Sequence, residues 1–398
     1  VDKTGLIEYT NSVLDTTNAY ICNSRPRRFG KSYAANMLAA YYSKGTDSEQ
    51  MFSGLRISKD ADFKKHLNKY DVIHIDIQWF LANCDDADKV VSFITKSVLD
   101  ELRGIYPDAL PQEVVTLPDA LSRVKERTGQ KFVVIIDEWD VIIRDGAIIE
   151  NIQDESLNFL RGMFKGVEPT KYIQLAYLTG ILPIKKERAQ SAVNNLDEFT
   201  MLQADELAPY IGFTENEVKG LCEKYNRDFD KVKKWYDGYL LDGYQVYNPK
   251  AVVSVMTKGR FRSYWSETGS YEVVVPLICM NYDGLKNAII EMLSGSEVKV
   301  DTATFKNDPA KIQNRDDVIT YLIHLGYLGY NEDSESAFVP NEEIRQELIT
   351  AVRSSNWDEL IAFQQESRKL LTATLSMDEK QVAAEIDKFH KNAERLFR

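Results

Sequence analysis

Two short stretches of this sequence carry residue types that bind phosphate groups and act on them. The first runs from Arg25 to Ser32 and ends in Gly30-Lys31-Ser32. In such a loop the lysine reaches the β- and γ-phosphates of a nucleotide, and the hydroxyl of the serine binds Mg²⁺. The second is Asp137-Glu138, which follows five apolar residues. The aspartate is suited to hold Mg²⁺ or its water shell, and the glutamate is suited to polarise an attacking water.

The first stretch lies between a predicted strand and a predicted helix. Ala19–Cys22 is a short apolar run, and Tyr33–Tyr42 has apolar residues at helical spacing. Backbone N–H groups at a helix start, together with the helix dipole, favour an anion there. The predicted phosphate-binding residues are Arg25, Pro26, Arg27, Arg28, Phe29, Gly30, Lys31 and Ser32. Arg25 stands where the usual G-x-x-x-x-G-K-[ST] pattern has glycine, so taken alone the motif also fits an ordinary helix start.

The second stretch ends a predicted central strand. Lys131–Ile136 is almost continuously apolar, as expected for a strand buried on both faces of a parallel sheet. The carboxyl ends of such strands are where ligands bind in open α/β sheets. Acidic residues at an ordinary strand end are the alternative, but an Asp-Glu pair downstream of a Gly-Lys-Ser loop favours a magnesium–nucleotide site. Asp140 is interpreted as a cap or structural partner, and a role in the site remains the alternative.

The remaining strands complete an α/β pattern. Asp71–Ile77 and Tyr172–Leu178 are predicted strands, and Asp197–Leu202 is a plausible fifth one. Thr179 follows the strand at Tyr172–Leu178, so its hydroxyl is placed beside the γ-phosphate, with a simple turn as the alternative. Because predicted strands and helices alternate from Tyr20 to Leu202, the expected fold is a parallel sheet sandwiched by helices.

Composition limits the possible classes of protein. The 398 residues are 44% hydrophobic and carry a formal net charge of -12. That charge argues against a uniformly basic nucleic-acid-binding surface, although local basic patches remain possible. The four cysteines are scattered, without C-x-x-C spacing, which argues against a disulfide framework or a zinc site and is typical of a reducing cytoplasm. No apolar run approaches the roughly 20 residues of a membrane-spanning helix, so no membrane partner is expected.

The chain after the predicted sheet divides by composition. We expect an ATPase core over 1–204, a helical lid over 205–269 and a winged-helix-like module over 270–352. The polar residues 353–398 read as a helical connector to a further C-terminal domain. Basic and aromatic residues mix over Lys231–Tyr239, but a helix end packed by aromatics is preferred to nucleic-acid stacking. The turn of the winged module is acidic, which favours packing over DNA binding.

These motifs together resemble the prokaryotic predicted AAA-ATPase-like family, whose members often carry a C-terminal nuclease domain of the PD-(D/E)XK superfamily. In that family an arginine at the position of Arg25 is the normal form. One departure is Trp139, where the family more often has tyrosine. No nuclease motif is visible in residues 351–398, so no nuclease activity is assigned to this chain. The matching pieces, spread in order over about the first 250 residues, are Val1–Gly5, Arg25–Ser32, Ile136–Asp140, Leu178–Gly180, Trp235–Tyr239 and Tyr247–Pro249.

The resemblance implies a P-loop ATPase core with a helical lid. It implies that Lys31 and Ser32 bind phosphate and Mg²⁺ and that Asp137 is the metal-side carboxylate. It also implies that Glu138 orients the attacking water and that Thr179 occupies the position of a γ-phosphate sensor. The expected cofactors are therefore ATP and Mg²⁺, and the predicted catalytic residues are Glu138, Lys31 and Thr179.

The predicted function is slow, Mg²⁺-dependent ATP hydrolysis of the AAA/STAND kind, used as a conformational switch. One alternative is a module that holds nucleotide without turnover and orders a protein partner. Another is a DNA-stimulated ATPase or sensor that uses Arg27, Arg28 and the cluster Lys185-Lys186-Glu187-Arg188. A small-molecule kinase is less favoured, because no acceptor-binding signature is visible. Arg188 is the one candidate for an arginine finger, and the sequence does not predict an oligomeric state.

Overall fold

The computed structural model describes most of the chain, with gaps. The described residues are 1–144, 150–184, 186–187, 190–191, 193, 195–265, 271–280, 282–354, 370 and 373–386. The strands are β1 (Tyr20–Ser24), β2 (Asp71–Asp76), β3 (Phe132–Asp137), β4 (Ile173–Gly180), β5 (Lys186–Glu187), β6 (Gln190–Ser191), β7 (Asp197–Phe199), β8 (Phe213–Thr214), β9 (Tyr239–Leu241), β10 (Tyr244–Tyr247), β11 (Val298–Lys299), β12 (Gly329–Asn331) and β13 (Ser336–Phe338).

The helices are α1 (Gly5–Val13), α2 (Lys31–Tyr42), α3 (Glu49–Phe52), α4 (Phe63–His66), α5 (Ile77–Ala82), α6 (Val90–Ile105), α7 (Leu117–Thr128), α8 (Val141–Arg144), α9 (Glu150–Phe164), α10 (Glu215–Tyr225), α11 (Phe229–Tyr236), α12 (Pro249–Lys258), α13 (Tyr271–Ile278), α14 (Leu285–Ser294), α15 (Arg315–Leu325) and α16 (Glu342–Ser354). The predicted helix over Tyr33–Tyr42 is present as part of α2. None of the helices in the described part of the chain is both long enough and apolar enough to cross a bilayer.

A five-stranded parallel sheet forms the centre of the N-terminal half, and this confirms the predicted α/β fold. Its strand order is β2-β3-β4-β1-β7. Strand β4 therefore lies between β1, which leads into the glycine-lysine-serine loop, and β3, which ends in the acidic pair. The register pairs Asn23 with Thr179 on one side of β4 and Leu178 with Ile136 on the other. The ends of all three strands consequently lie at one level of one sheet edge.

Helices cover both faces of this sheet, as its apolar strands require. Successive side chains of a strand point to opposite faces. Val133 and Ile135 accordingly join the core on the α2 side, where they share a cluster with Leu38. Val134 and Ile136 join the core on the other side, with residues of α6, α7 and α9. Because all six residues of β3 are buried, the strand has the unbroken apolar pattern seen in the sequence.

The predicted helical lid contains a small sheet that the sequence analysis missed. The strands β8, β10 and β9 form a three-stranded antiparallel sheet beside α10, α11 and α12. The first helix of the lid, α10, is shorter than the helical pattern of the sequence, which runs from Glu215 to Phe229. It ends at Tyr225 because Asn226 adopts a left-handed conformation with φ of 50°, and α11 begins after Asp228, whose side chain accepts a bond from the N–H of Lys231.

The C-terminal module contains the predicted helix, hairpin and helix. Helix α15 is followed by the antiparallel pair β12 and β13 and then by α16, and β11 adds a third strand. Val318, Leu322 and Leu348 of this module belong to the same apolar cluster as Ile21 and Leu38 of the parallel-sheet core. The module therefore packs against the core rather than standing apart from it. The domain boundaries themselves stay predictions, and most of the expected connector at 353–398 lies outside the described residues.

The lid and the C-terminal module meet at a glycine that no other residue can replace without displacing backbone. Gly238 has φ of 118°, and a Cβ atom there would lie 2.2 Å from the carbonyl oxygen of Pro340. Gly243 is also left-handed, with φ of 79°, but a Cβ atom there would meet nothing within 4 Å. Comparing substitutions at the two positions therefore separates the cost of left-handed backbone strain from the cost of steric overlap.

We expect Gly238→Ala to lower the free energy of unfolding by about 2 to 5 kcal/mol, since left-handed strain adds to overlap with backbone. Gly243→Ala, the matched control, should cost only about 1 to 2 kcal/mol. Urea unfolding of the two variants and wild type measures both values. Equal losses in the two variants would show that Gly238 does not hold the lid against the C-terminal module.

Candidate functional site

The loop before α2 has its left-handed residues at Arg28 and Gly30. Their φ angles are 69° and 94°, whereas Arg25 is not among the residues with positive φ. The loop thus makes no demand for glycine at the position of Arg25, which explains why the usual first glycine is dispensable here. Gly30 directly precedes Lys31, the first residue of α2, so the loop delivers the lysine to the helix start.

Arg25 uses its side chain to fasten the loop to the edge of the sheet. The guanidinium is fully buried, and its Nη1 donates to the carbonyls of Ser24 at 2.9 Å, Phe199 at 3.2 Å and Thr200 at 2.9 Å. Its backbone N–H donates to the carbonyl of Gly180 at 3.0 Å. Burial lowers the pKa of Arg25 to about 10. These partners give its side chain a structural role, and direct contact with phosphate stays a prediction for the loop as a whole.

Lys31 is a buried cation that faces the acidic pair. Its side chain is 4% exposed, and Nζ donates to the carbonyl of Pro26 at 3.1 Å. Nζ also lies 3.7 Å from Oε1 of Glu138. Burial lowers the pKa of Lys31, while the charge of Glu138 opposes this effect. A buried ammonium of this kind gains stability from any anion that reaches it.

Asp137 and Thr179 are joined at the ends of β3 and β4. Both side chains are buried, and the hydroxyl of Thr179 donates to Oδ1 of Asp137. The N–H of Glu138 donates to the same oxygen at 3.1 Å. Glu138 has φ of 55°, a strained conformation for a residue with a side chain, which turns the chain sharply after the strand. The structure therefore brings the predicted residues Lys31, Asp137, Glu138 and Thr179 to one place.

Ser32 and the predicted metal site fit the demands of Mg²⁺. Ser32 follows Lys31 in the first turn of α2 and is exposed. Hydroxyl and carboxylate oxygens are ligands that Mg²⁺ accepts, and this ion usually keeps few protein ligands and completes its shell with water and phosphate. Within the described residues no group of three or more His, Cys, Asp or Glu residues could hold a metal unaided. A Mg²⁺ held by Ser32 and Asp137 would accordingly arrive with the phosphates.

Arg144 is a residue near the site that the sequence analysis missed. Its Nη2 lies 2.6 Å from Oε2 of Glu138, and its Nε lies 2.8 Å from Oδ2 of Asp140. The charges of these two carboxylates outweigh the effect of burial and raise the pKa of Arg144. The only sequence signal was the four-residue spacing between Asp140 and Arg144 on a helix, which is common on solvent-exposed surfaces and carries no information about function.

Asp140 has the structural role that was preferred for it. It is fully buried, and Oδ2 accepts the backbone N–H groups of Ile181 at 3.0 Å and Leu182 at 2.7 Å. It thereby ties the segment after β3 to the segment after β4. Arg188, the candidate arginine finger, and Lys185 of the basic cluster lie outside the described residues.

The lid directly contacts the loop Arg25–Ser32, which leads into α2. The amide of Asn248, which caps α12, donates to the carbonyl of Arg27 at 3.4 Å. The ring of Tyr239 packs edge-on against Phe29, with ring centres 5.4 Å apart. Phe29 is buried, so it is a packing residue of the loop rather than a side chain exposed to ligand.

The C-terminal end of the lid and the C-terminal module also contact the loop. Nη1 of Arg28 donates to the carbonyl of Tyr264 at 2.5 Å. Gly326, at the end of α15, packs against Pro26 so closely that a Cβ atom on it would lie 2.8 Å from the proline ring. Burial raises the pKa of Tyr321 in α15 to about 12, and the nearby charge of Arg144 opposes this rise. Pro26, Arg27, Arg28 and Phe29 are thus all held from outside the ATPase core.

Comparison with known proteins supports the resemblance found in the sequence. Residues 1–189 match the model of the family described as predicted AAA-ATPase. The matched range contains the loop, the acidic pair, Arg144 and Thr179. The N-terminal half of the chain is therefore similar to the proteins of that family.

Two individual proteins resemble a larger part of the chain. An uncharacterized protein in the vnfD 5' region of Azotobacter chroococcum mcd 1 is 27% identical over 283 residues, which are 70% of this chain and 52% of that protein. The chain thus spans about half the length of this curated relative. The structure of the Aeropyrum pernix ORC2 protein in its ADPNP and ADP complexes aligns with a TM-score of 0.35 and 11% identity, covering 88% of this chain and 92% of that one.

We expect Asp140→Asn to destabilise the protein by about 3 kcal/mol. The change replaces the carboxylate with a neutral carboxamide of similar shape and so removes the buried counter-charge of Arg144. Asp119→Asn, which removes the partner of Arg123 in an ion pair with side chains 46% and 48% exposed, should change stability by less than about 0.5 kcal/mol. Chemical unfolding of both variants gives the comparison, and an Asp140→Asn protein as stable as the control would contradict the anchoring role of Asp140.

Proposed function

We propose that this protein binds ATP with Mg²⁺, hydrolyses it slowly and uses the nucleotide state to move its lid and C-terminal module. The observation that supports this proposal best is the 3.7 Å distance between Nζ of Lys31 and Oε1 of Glu138 at the start of α2. A buried cation for phosphate and a carboxylate for water thereby lie side by side. The match to a predicted ATPase family supports ATP as the nucleotide.

Nucleotide binding begins by giving Lys31 a new partner. In the described structure its ammonium is paired with the carbonyl of Pro26 and with the nearby Glu138. The β- and γ-phosphates carry more negative charge than either partner and would draw the ammonium to themselves. Backbone N–H groups at the start of α2 add donors for the same phosphates. Mg²⁺, held by Ser32 and Asp137, would supply neutralisation of charge on the phosphate oxygens.

Glu138 then takes the role of orienting water. Once Lys31 turns to phosphate, Oε1 of Glu138 loses its nearest cation and can accept a hydrogen bond from a water molecule. The water oxygen attacks the γ-phosphorus in line, and the bond to the bridging oxygen breaks, so that ADP and phosphate leave. The proton lost by the water passes to phosphate or to Glu138. Thr179, bonded to Asp137, lies on the strand between the two motifs and would respond to the loss of the γ-phosphate.

The contacts of the loop supply the switch. Four successive residues, Pro26 to Phe29, touch the lid or the C-terminal module. A phosphate that reshapes the loop must therefore shift those partners or break the contacts. This coupling favours a regulated switch over a module that only stores nucleotide.

DNA stimulation is not adopted as a second function. The turn between β12 and β13 presents Glu332, Asp333 and Glu335 to solvent, where binding to DNA would need basic residues. This placement agrees with the preference for packing over DNA binding. A nuclease partner and an oligomeric assembly likewise rest on no observation in the described structure and are not part of the proposal.

We expect Lys31→Ala to weaken binding of Mg²⁺-ATP by about 10-fold or more, because a charge-assisted contact to phosphate is lost. Glu138→Gln should keep binding and lower kcat by about 100-fold or more. Calorimetric titration and phosphate release measure the two effects, with Arg123→Ala as the control. Unchanged affinity in Lys31→Ala would refute the site. Binding without turnover in wild type would instead establish a nucleotide-holding module.

Nucleotide should slow hydrogen exchange in the lid and in the C-terminal module, not only in the loop. Arg28→Ala removes the bond to the carbonyl of Tyr264 while leaving Lys31, Asp137 and Glu138 in place. We expect this variant to bind nucleotide but to lose at least half of the exchange protection that nucleotide induces over residues 238–265. If nucleotide slowed hydrogen exchange in wild type only within the first 204 residues, the loop contacts would not couple nucleotide binding to the lid or the C-terminal module.

A further inference from the structure

The carboxylate assigned to the attacking water is held by a second cation besides Lys31. Arg144 contacts Oε2 of Glu138 at 2.6 Å, whereas Lys31 lies 3.7 Å from Oε1. The two cations therefore approach different oxygens of the same group. Only one of them, Lys31, belongs to the phosphate-binding loop, so nucleotide will compete for that cation and not for the other.

The position of Arg144 is itself fixed by Asp140. Its Nε is 2.8 Å from Oδ2 of Asp140, and its side chain is 8% exposed. Asp140 is fully buried and accepts hydrogen bonds from two backbone N–H groups beyond β4, so its carboxylate is held in place for Arg144. A guanidinium is planar and holds two carboxylates in a set geometry. Through Arg144 and Asp140, the orientation of the Glu138 carboxylate is tied to the residues that follow β4, the strand that carries Thr179.

This arrangement answers an electrostatic difficulty. A carboxylate beside Lys31 lies close to where the phosphates of a nucleotide would bind, and like charges at short range in a protein of low dielectric repel strongly. Lys31 cannot relieve this repulsion once it is bound to phosphate. Arg144 can, because its contact with Glu138 does not depend on the loop.

We propose that Arg144 is a positioning residue of the nucleotide site: it neutralises Glu138 so that phosphate can bind beside it, and it fixes Oε2 so that Oε1 faces the attacking water. This inference rests on the proposed function and adds a residue to it. In this proposal Arg144 acts through Glu138, because its Nη2 contacts Glu138 while its Nε contacts Asp140.

A double-mutant cycle on nucleotide affinity tests the first half of this proposal. Dissociation constants for Mg²⁺-ATP are measured by calorimetry for wild type, Arg144→Ala, Glu138→Gln and the double variant. We expect Arg144→Ala to weaken binding about 10-fold when Glu138 is present and less than about 2-fold when Gln replaces it, as for contacting residues that act as a pair. Arg123→Ala, which loses an exposed ion pair, should leave affinity unchanged.

Turnover tests the second half. Arg144→Ala should lower kcat about 100-fold, as expected for a misplaced reacting group, with a smaller change in KM. Arg144→Lys should recover part of both affinity and kcat, because it restores the charge without the fixed geometry. Thermal melting shows which variants fold, and Arg144→Gln replaces Arg144→Ala if the latter does not.

Each outcome has a distinct meaning. Equal loss of affinity with and without the Glu138 carboxylate would overturn the proposal and make Arg144 a direct phosphate ligand. Unchanged affinity and kcat in Arg144→Ala would overturn it outright. A wild-type protein that binds Mg²⁺-ATP and shows the coupling but does not turn over would refute hydrolysis and the orienting role while supporting the neutralising one. A wild-type protein that does not bind Mg²⁺-ATP would refute the site and this role together.

Discussion

The position of β4 between β1 and β3 is the constraint on which the rest of the site depends. Parallel strands in register bring their carboxyl ends to one edge. With β4 inserted, the lysine loop and the acidic pair face each other across one strand instead of lying on adjacent ones. In the proposed site, phosphate would bind between Lys31 and Asp137, and Thr179 lies at the end of the strand between the two motifs.

Buried charge is used throughout the region, and each buried group has its own compensation. Arg25 donates to carbonyls of the sheet edge, whereas Asp140 accepts backbone N–H groups and the guanidinium of Arg144. Lys31 is different, because its partners are a single carbonyl and a carboxylate 3.7 Å away. Removing charge from water is costly unless partners replace the lost hydration. An anionic ligand would add a further partner to Lys31, the buried cation that is expected to receive it.

The phosphate loop is also the point at which three parts of the chain meet. Its left-handed residues are Arg28 and Gly30, and Pro26, Arg28 and Phe29 contact the lid or the C-terminal module. Phe29 and Pro26 are buried by these contacts, and the same apolar cluster continues from α2 into α15 and α16. A loop that is held on both sides has few independent conformations, so a change in one part of this cluster is felt in the others.

Many local elements and the choice of candidate site residues follow from patterns in the sequence. Strand β3 and the start of α2 were readable because apolar periodicity and a Gly-Lys-Ser turn act over a few residues. The short strands β8 to β10 were not, because two- to four-residue strands carry almost no periodic signal. Three features are visible only in the folded chain: β4 separates the two motifs, Arg25 donates to carbonyls at the sheet edge, and Arg144 contacts Glu138. Those contacts depend on the order in which distant segments pack, and a single sequence contains no local pattern that encodes that order.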